Sequence, residues 1–231
     1  MSKPHIKPYQ QSGFSLLELL IAMTITLVIM AIASTLLASS FKIRNRENQR
    51  SSAIADAQRA LNIMSREIAN AAYGLSTNGI VTGDSGLTSI RVRSDLDLSG
   101  RTNADKEDVK YVLVNDANGS FIVRLNLQPT QTTSLLANGI DGLKIKYYDE
   151  RVTYTIGDCK SSILNCDINT VRNTAGTLEN EVTPNNAKYV VLVLSVTLPA
   201  VGTPGSAGYQ PPSATQLVST VTLRNANIET Y

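Results

Sequence analysis

The chain of 231 residues has one histidine, His5, and two cysteines, Cys159 and Cys166. A lone histidine excludes histidine pairs for metal ligation. There is no Walker lysine motif and no G-x-S-x-G, so phosphate-loop and α/β-hydrolase chemistry are excluded as well. A formal net charge of +2 gives no basis for nucleic-acid binding. Charge is missing altogether from Leu19 to Phe41, and neither glycine nor proline occurs between Phe14 and Tyr73. An uninterrupted helix is therefore expected over that range, with a charge-free part long enough to cross a hydrocarbon layer of about 30 Å.

What precedes the apolar run separates three readings of it. A secretory signal peptide has a shorter apolar core ending at a small-residue cleavage site, and here only Ala31, Ala33 and Ala38 approach such a pattern. A plain membrane anchor accounts for the length but not for Glu18, a carboxylate in the run that is costly inside a bilayer. The segment Gly13-Phe14-Ser15-Leu16-Leu17-Glu18-Leu19 behind a short basic leader resembles the class III signal of type IV prepilins. That resemblance implies cleavage between Gly13 and Phe14 by a prepilin peptidase, N-methylation of Phe14, and loss of residues 1–13, His5 included. It also implies that Glu18 pairs with the N-terminal amine of a neighbouring subunit. The alternative role for Glu18 is to complement the positive end of the helix dipole. Lys3 and Lys7 before the span are opposed by Lys42, Arg44, Arg46 and Arg50 after it, so the positive-inside rule does not decide orientation. The resemblance places the leader in the cytoplasm and the remainder in the periplasm.

Past the span, Ile54, Ala57, Leu61, Met64, Ile68 and Ala71 recur at steps of three and four, which predicts an amphipathic continuation to Tyr73 with Gly74 as terminator. Residues 14–41 form the membrane or filament-core half of the helix, residues 42–73 the amphipathic half, and residues 74–231 a β-rich domain. Strands are expected at Ile90–Arg93, Val109–Val114, Phe121–Leu127, Leu143–Tyr148, Val152–Ile156, Tyr189–Leu198 and Leu217–Leu223. Asn118-Gly119 predicts a hairpin with a loop longer than two residues, and Val201 to Ser213 an exposed loop. The fold class is α+β: a type IV pilin-like long helix packed on an antiparallel sheet.

Three later segments narrow the resemblance. Arg66 to Gly74, Leu136 to Leu143 followed by Tyr147-Tyr148-Asp149, and Val221 to Asn225 look like minor pilins of the PilW type, and less closely like J-type minor pseudopilins of type II secretion. The implied partners are the prepilin peptidase, other minor pilins, the major pilin and an inner-membrane assembly platform. The implied function is priming of pilus assembly and incorporation at the tip. Alternatives are a pseudopilin of a secretion or competence system and a membrane-anchored periplasmic binding domain.

Two smaller features complete the reading. Cys159 and Cys166 lack the C-x-x-C spacing of a redox motif; in an oxidising periplasm they are expected to form a structural disulfide, the alternative being a pair of thiols. Asp95, Asp97, Ser99 and Gly100 reproduce the opening of a calcium loop, with Asp105, Glu107 and Asp108 downstream. The EF-hand pattern then fails, because Lys106 stands where a bidentate glutamate is required. Calcium at Asp95, Asp97, Ser99 and Asp105 is the one cofactor candidate, against a solvated acidic turn. No enzyme activity is expected.

Overall fold

A helix needs an end that satisfies its orphan carbonyls, and here the end is tied to the β domain. In a computed structural model, which describes residues 13–117, 119–159, 165–206 and 208–226, helix α1 runs Leu16–Ala69. The Ala69 carbonyl accepts from Arg224 N–H at 3.1 Å, the Ala71 carbonyl from the Asn225 amide at 3.1 Å, and the Tyr73 carbonyl from Asp95 N–H at 2.7 Å. The helix thus stops four residues before the predicted Tyr73. The first left-handed residue is Ala72 (φ 68°), ahead of Gly74 (φ 70°). A side chain at Gly74 would meet the Asp95 carbonyl oxygen at 2.7 Å, so glycine is required there for the close approach as well as the turn.

The chain divides into two units, residues 1–45 and 46–231. In the first, helical residues 16–45 present apolar side chains to the outside: Leu16, Leu20, Leu27, Met30 and Leu36 are all exposed. In the second, residues 46–69 of α1 bury one stripe. Ala57, Ala60, Leu61, Met64 and Ile68 lie in the main core. Ile54, predicted for that stripe, is half-buried and lines a surface groove with Arg50 and Gln58 instead.

Among the described residues nine strands follow, all paired antiparallel. Strands β1 (Ser89–Arg93), β2 (Asp108–Asp116), β3 (Gly119–Asn126) and β4 (Thr132–Asn138) form a meander in that order. A second sheet has the order β5 (Gly142–Tyr148), β8 (Tyr189–Leu198), β9 (Ser213–Thr222), and β6 (Thr153–Ile156) pairs with β7 (Ile168–Arg172) as a hairpin. Ile145 N–H on β5 donates to the Leu87 carbonyl beside β1 at 2.8 Å, which joins the two larger sheets. The helical stripe packs against both: Ile90, Tyr111 and Ile122 from the meander, Leu143, Ile145, Val190, Leu192 and Leu194 from the second sheet. The opposite face of the second sheet is covered by the hairpin, where Val191 and Val193 meet Val152 and Ile168. Strand β8 is therefore buried on both faces, the reason it reads as an almost unbroken apolar run.

Sequence periodicity missed β4 and β7, and placed the start of the last strand four residues late. Asp116 pairs with Gly119, so the β2–β3 connection is the two residues Ala117 and Asn118, shorter than predicted; Asn118 itself lies outside the described residues. The arrangement is the α+β, type IV pilin-like one that was expected.

Candidate functional site

The N-terminal segment is built by one serine. Ser15 precedes the first helical residue, its carbonyl accepts from Leu19 N–H at 3.1 Å, and its hydroxyl accepts from Leu17 N–H at 3.3 Å, the work of an N-cap. Gly13 and Phe14 thus stand outside the helix. Both are exposed, Phe14 at 83%. Among the described residues a methyl group at Gly13 would meet nothing within 4 Å, so their packing demands no glycine there. The Gly13–Phe14 bond is presented on non-helical, accessible backbone, as a peptidase requires. Glu18 lies in the first turn of α1, exposed, where the helix dipole favours a negative charge. The helix that follows is long and apolar enough to cross a membrane. His5, Lys3 and Lys7 lie outside the described residues.

The acidic segment folds into a tight loop after β1, packed against the end of α1. Oxygens of Asp95, Asp97 and Glu107 lie within 4.8 Å of one another. Asp95 accepts from Ser99 N–H (2.9 Å) and Gly100 N–H (2.7 Å); Asp97 accepts from Ser99 N–H (3.0 Å). Glu107, fully buried, accepts from Leu96 (2.8 Å), Asp97 (3.3 Å) and Ala104 (2.8 Å) N–H groups. The Ser99 hydroxyl and amide hold the Asp97 carboxyl below its ordinary range. Of the predicted set, Asp95, Asp97 and Ser99 come together. Asp105 does not join them: its carboxylate accepts from Asn126 at 2.6 Å, and Glu107 takes its place. Asp108 also turns away, to Arg91 at 2.7 Å and Arg93 at 2.9 Å. The carboxylates are organised by amide donors, as in a loop that wraps its own backbone. Three clustered carboxylates offer the hard oxygens a calcium ion takes, but fewer than the six to eight ligands it uses.

Cys159 and Cys166 are brought together. Both are buried thiols, grouped with Ala214 over the outer face of the second sheet. Burial, then the hydrogen-bonded Cys159, pushes the Cys166 thiol up to about 12. Such a thiol is a poor nucleophile at neutral pH, which suits a structural pair. Sequence reasoning missed a further buried group, Arg46. It was counted among the charges that follow the span, yet it is only 6% exposed and donates to the Pro211 carbonyl at 2.5 Å and the Ser213 hydroxyl at 3.1 Å.

Compared with known proteins, residues 9–34 match the prokaryotic N-terminal methylation motif. No curated protein and no solved structure matches the chain. The match covers the Gly13–Phe14 junction, Glu18 and the first part of the span, and supports the reading of this segment as a prepilin-type signal. The apolar helix and the signal fit an inner-membrane anchored protein that meets a prepilin peptidase.

Proposed function

We propose that this chain is a minor pilin of the PilW type, which primes assembly of a type IV pilus and is built in at or near its tip. The observation that carries the reading is the Gly13–Phe14 junction: an exposed bond just ahead of a serine-capped helix, with a carboxylate in the first turn and a charge-free span behind it. Hydrolysis of that bond frees the amine of Phe14, and N-methylation leaves it cationic. In a low-dielectric bilayer or filament core, an unpaired ammonium or carboxylate is costly and the pair attracts strongly. The amine of one subunit is thereby drawn to Glu18 of its neighbour, which sets the register of insertion.

The remaining parts follow from that placement. Before assembly the protein is a single-pass inner-membrane protein, with residues 46–231 folded in the periplasm. There Cys159 and Cys166, already adjacent, are oxidised to a disulfide that closes a short loop and contributes about 2 to 3 kcal/mol. The other minor pilins, the major pilin and the assembly platform are its partners, and the chain is a substrate of the peptidase rather than an enzyme. A first helix with no glycine or proline suits a subunit used once, near the tip.

Intact mass of the purified mature protein tests these points together. The expected species begins at N-methylated Phe14 and has lost two hydrogens to the disulfide. Gly13→Arg is expected to retain the leader, and normal processing of it would remove the basis of the reading. Deletion of the chain is expected to abolish surface pili and twitching. Loss of exoprotein secretion with pili intact would assign the chain to a type II pseudopilus instead.

A further inference from the structure

We propose that the open edge of β9 takes up an extended segment of another protein subunit, added antiparallel beside it and carrying acidic residues at its leading end. Strand β9 pairs with β8 over ten residues with no shift in register. One residue beyond the strand, Leu223 N–H donates to the Lys188 carbonyl at 2.9 Å in that same register. By the alternation of an antiparallel ladder, the odd-numbered residues of β9 bond to β8, and Ala214, Gln216, Val218, Thr220 and Thr222 turn their N–H and C=O groups the other way. Among the described residues nothing bonds to those outward groups. Donors and acceptors repeating at that spacing are the complement of another strand.

Sheet edges are ordinarily guarded by a charge, a proline, a bulge or a short strand. Strand β4, which ends the meander, has such a guard: it is seven residues long and its register shifts opposite Ile122 and Val123. Strand β9 has ten residues with no charge, no proline and no bulge. Its surroundings form a groove instead. A cleft of about 430 Å³ is lined by Thr220 and Thr222 of the strand and by Ser65, Arg66 and Ala69 of α1, with Arg224 beside them. The hydroxyls of Ser65 and Ser219 meet at 3.0 Å and hold the helix wall against the strand. A second cleft, of about 390 Å³, is lined by Ser213 to Gln216 together with Arg50 and Ile156. Charge then selects the occupant. Arg66 and Arg224 are exposed, no carboxylate lines their cleft, and no described carboxylate pairs with either. In the other cleft Arg50 is accompanied by the exposed Asp158, which leaves that end balanced. An antiparallel strand with carboxylates at its N-terminal end and uncharged residues after them complements both ends.

The probe is an acetylated, fluorescent peptide, Asp-Asp-Thr-Val-Thr-Val-Thr-Val, titrated by anisotropy against full-length protein in detergent. Saturable binding is expected, with a peptide led by Lys-Lys, and one with proline for its first valine, each at least about tenfold weaker, a difference of about 1.4 kcal/mol. Arg66→Glu combined with Arg224→Glu should reverse the preference between the acidic and the basic peptide. Thr220→Pro removes an outward N–H and no bond to β8, a place where an edge strand tolerates proline, and should abolish binding with the circular dichroism of the parent retained. No binding of the acidic peptide to the parent would overturn the proposal. So would equal binding of the proline peptide, which would reduce the attraction to charge alone. Self-association of the parent without peptide binding, lost in Thr220→Pro, would give the edge to a second copy and reject an acidic partner. Should Thr220→Pro fail to fold, the charge-reversed protein and the proline peptide still decide.

Discussion

The hydroxyl of Tyr111 on β2 donates to Glu67 of α1 at 2.5 Å, and Arg124, directly opposite Tyr111 on β3, donates to the same carboxylate at 3.0 Å. Burial, reinforced by the Glu67 charge, raises the Tyr111 phenol well above its usual range, so it remains a donor at any working pH. The contact locks the polar side of the helix to the meander at a fixed register. Tyr111→Phe keeps the ring in the core and leaves Glu67 still bonded to Arg124. A hydrogen bond to a charged group is worth about 1.5 to 3 kcal/mol, and a loss of that size is expected in denaturant unfolding of the domain. An unchanged midpoint would mean the bond adds nothing over solvent.

The apolar side of the same helix carries more. Leu61 is 6% exposed in the main core, while Arg59 is exposed. Leu61→Ala is expected to cost about 2 to 5 kcal/mol in a soluble domain beginning at residue 42, and Arg59→Ala less than about 0.5. Ile54→Ala is expected to resemble Arg59→Ala, because Ile54 packs on no part of the core. A large loss at Ile54 would show that it is covered in solution by something beyond this domain.

These residues also show how far the sequence could be read. Spacing found Ala57, Leu61, Met64 and Ile68 because a buried stripe repeats with the helical period; it included Ile54 because period says nothing about where the partner sheets end. Strand β8 announced itself through burial on both faces. Strand β4 did not, since Thr132 to Ser134 are exposed and polar and leave no alternation to detect. The Gly13 to Glu18 segment was legible because its pattern is local in sequence. The Glu67–Tyr111–Arg124 contact and the Arg46–Pro211 contact were not, because each joins residues far apart in the chain whose pairing only the fold decides.

The acidic loop tests a local rule against a long-range one. Three backbone amides converge on Glu107, whereas Asp105, itself exposed, accepts only from the side-chain amide of the buried Asn126 and lies 3.9 Å from the exposed Lys106 ammonium. Glu107→Ala strands those donors and is expected to cost about 1.5 to 3 kcal/mol, with Asp105→Ala, which removes one hydrogen bond from Asn126, costing about 0.5 to 1.5 kcal/mol. If amides rather than an ion organise the loop, millimolar calcium or a chelator should leave the melting temperature of the domain unchanged. A rise with calcium, lost in Asp95→Asn, would make the cluster a metal site.

Acid should weaken the domain through its ion-pair network. Lys110 and then Arg91 hold the Asp84 carboxyl down to about 2; burial pushes Asp108 up, but Arg91 and Arg93 outweigh it and leave it lowered. A carboxylate with a depressed folded pKa contributes stability that is complete above its unfolded value near 3.9 and is lost as pH falls through the folded one. Melting temperature is therefore expected to fall between pH 4 and about pH 2. Asp84→Asn should melt lower at pH 6 and lose less over that window. An identical pH slope in the two proteins would move the acid sensitivity elsewhere.

Glu18 decides between assembly and simple helix energetics. Its side chain is exposed in the first turn, ahead of a charge-free span, so its value to the isolated helix is at most the dipole contribution of about 0.3 to 1 kcal/mol. Removing the charge makes the segment more apolar, and Glu18→Ala is expected to insert and to be processed at Gly13 as the parent is. What it lacks is the counter-charge for the amine of an adjoining subunit, which in a dry interface would then stand unpaired at a cost of about 3 to 5 kcal/mol. Co-purification with partner pilins, and piliation, should accordingly drop by two orders of magnitude or more, since each 1.4 kcal/mol is tenfold. Undiminished co-purification and normal piliation would reduce Glu18 to a dipole partner.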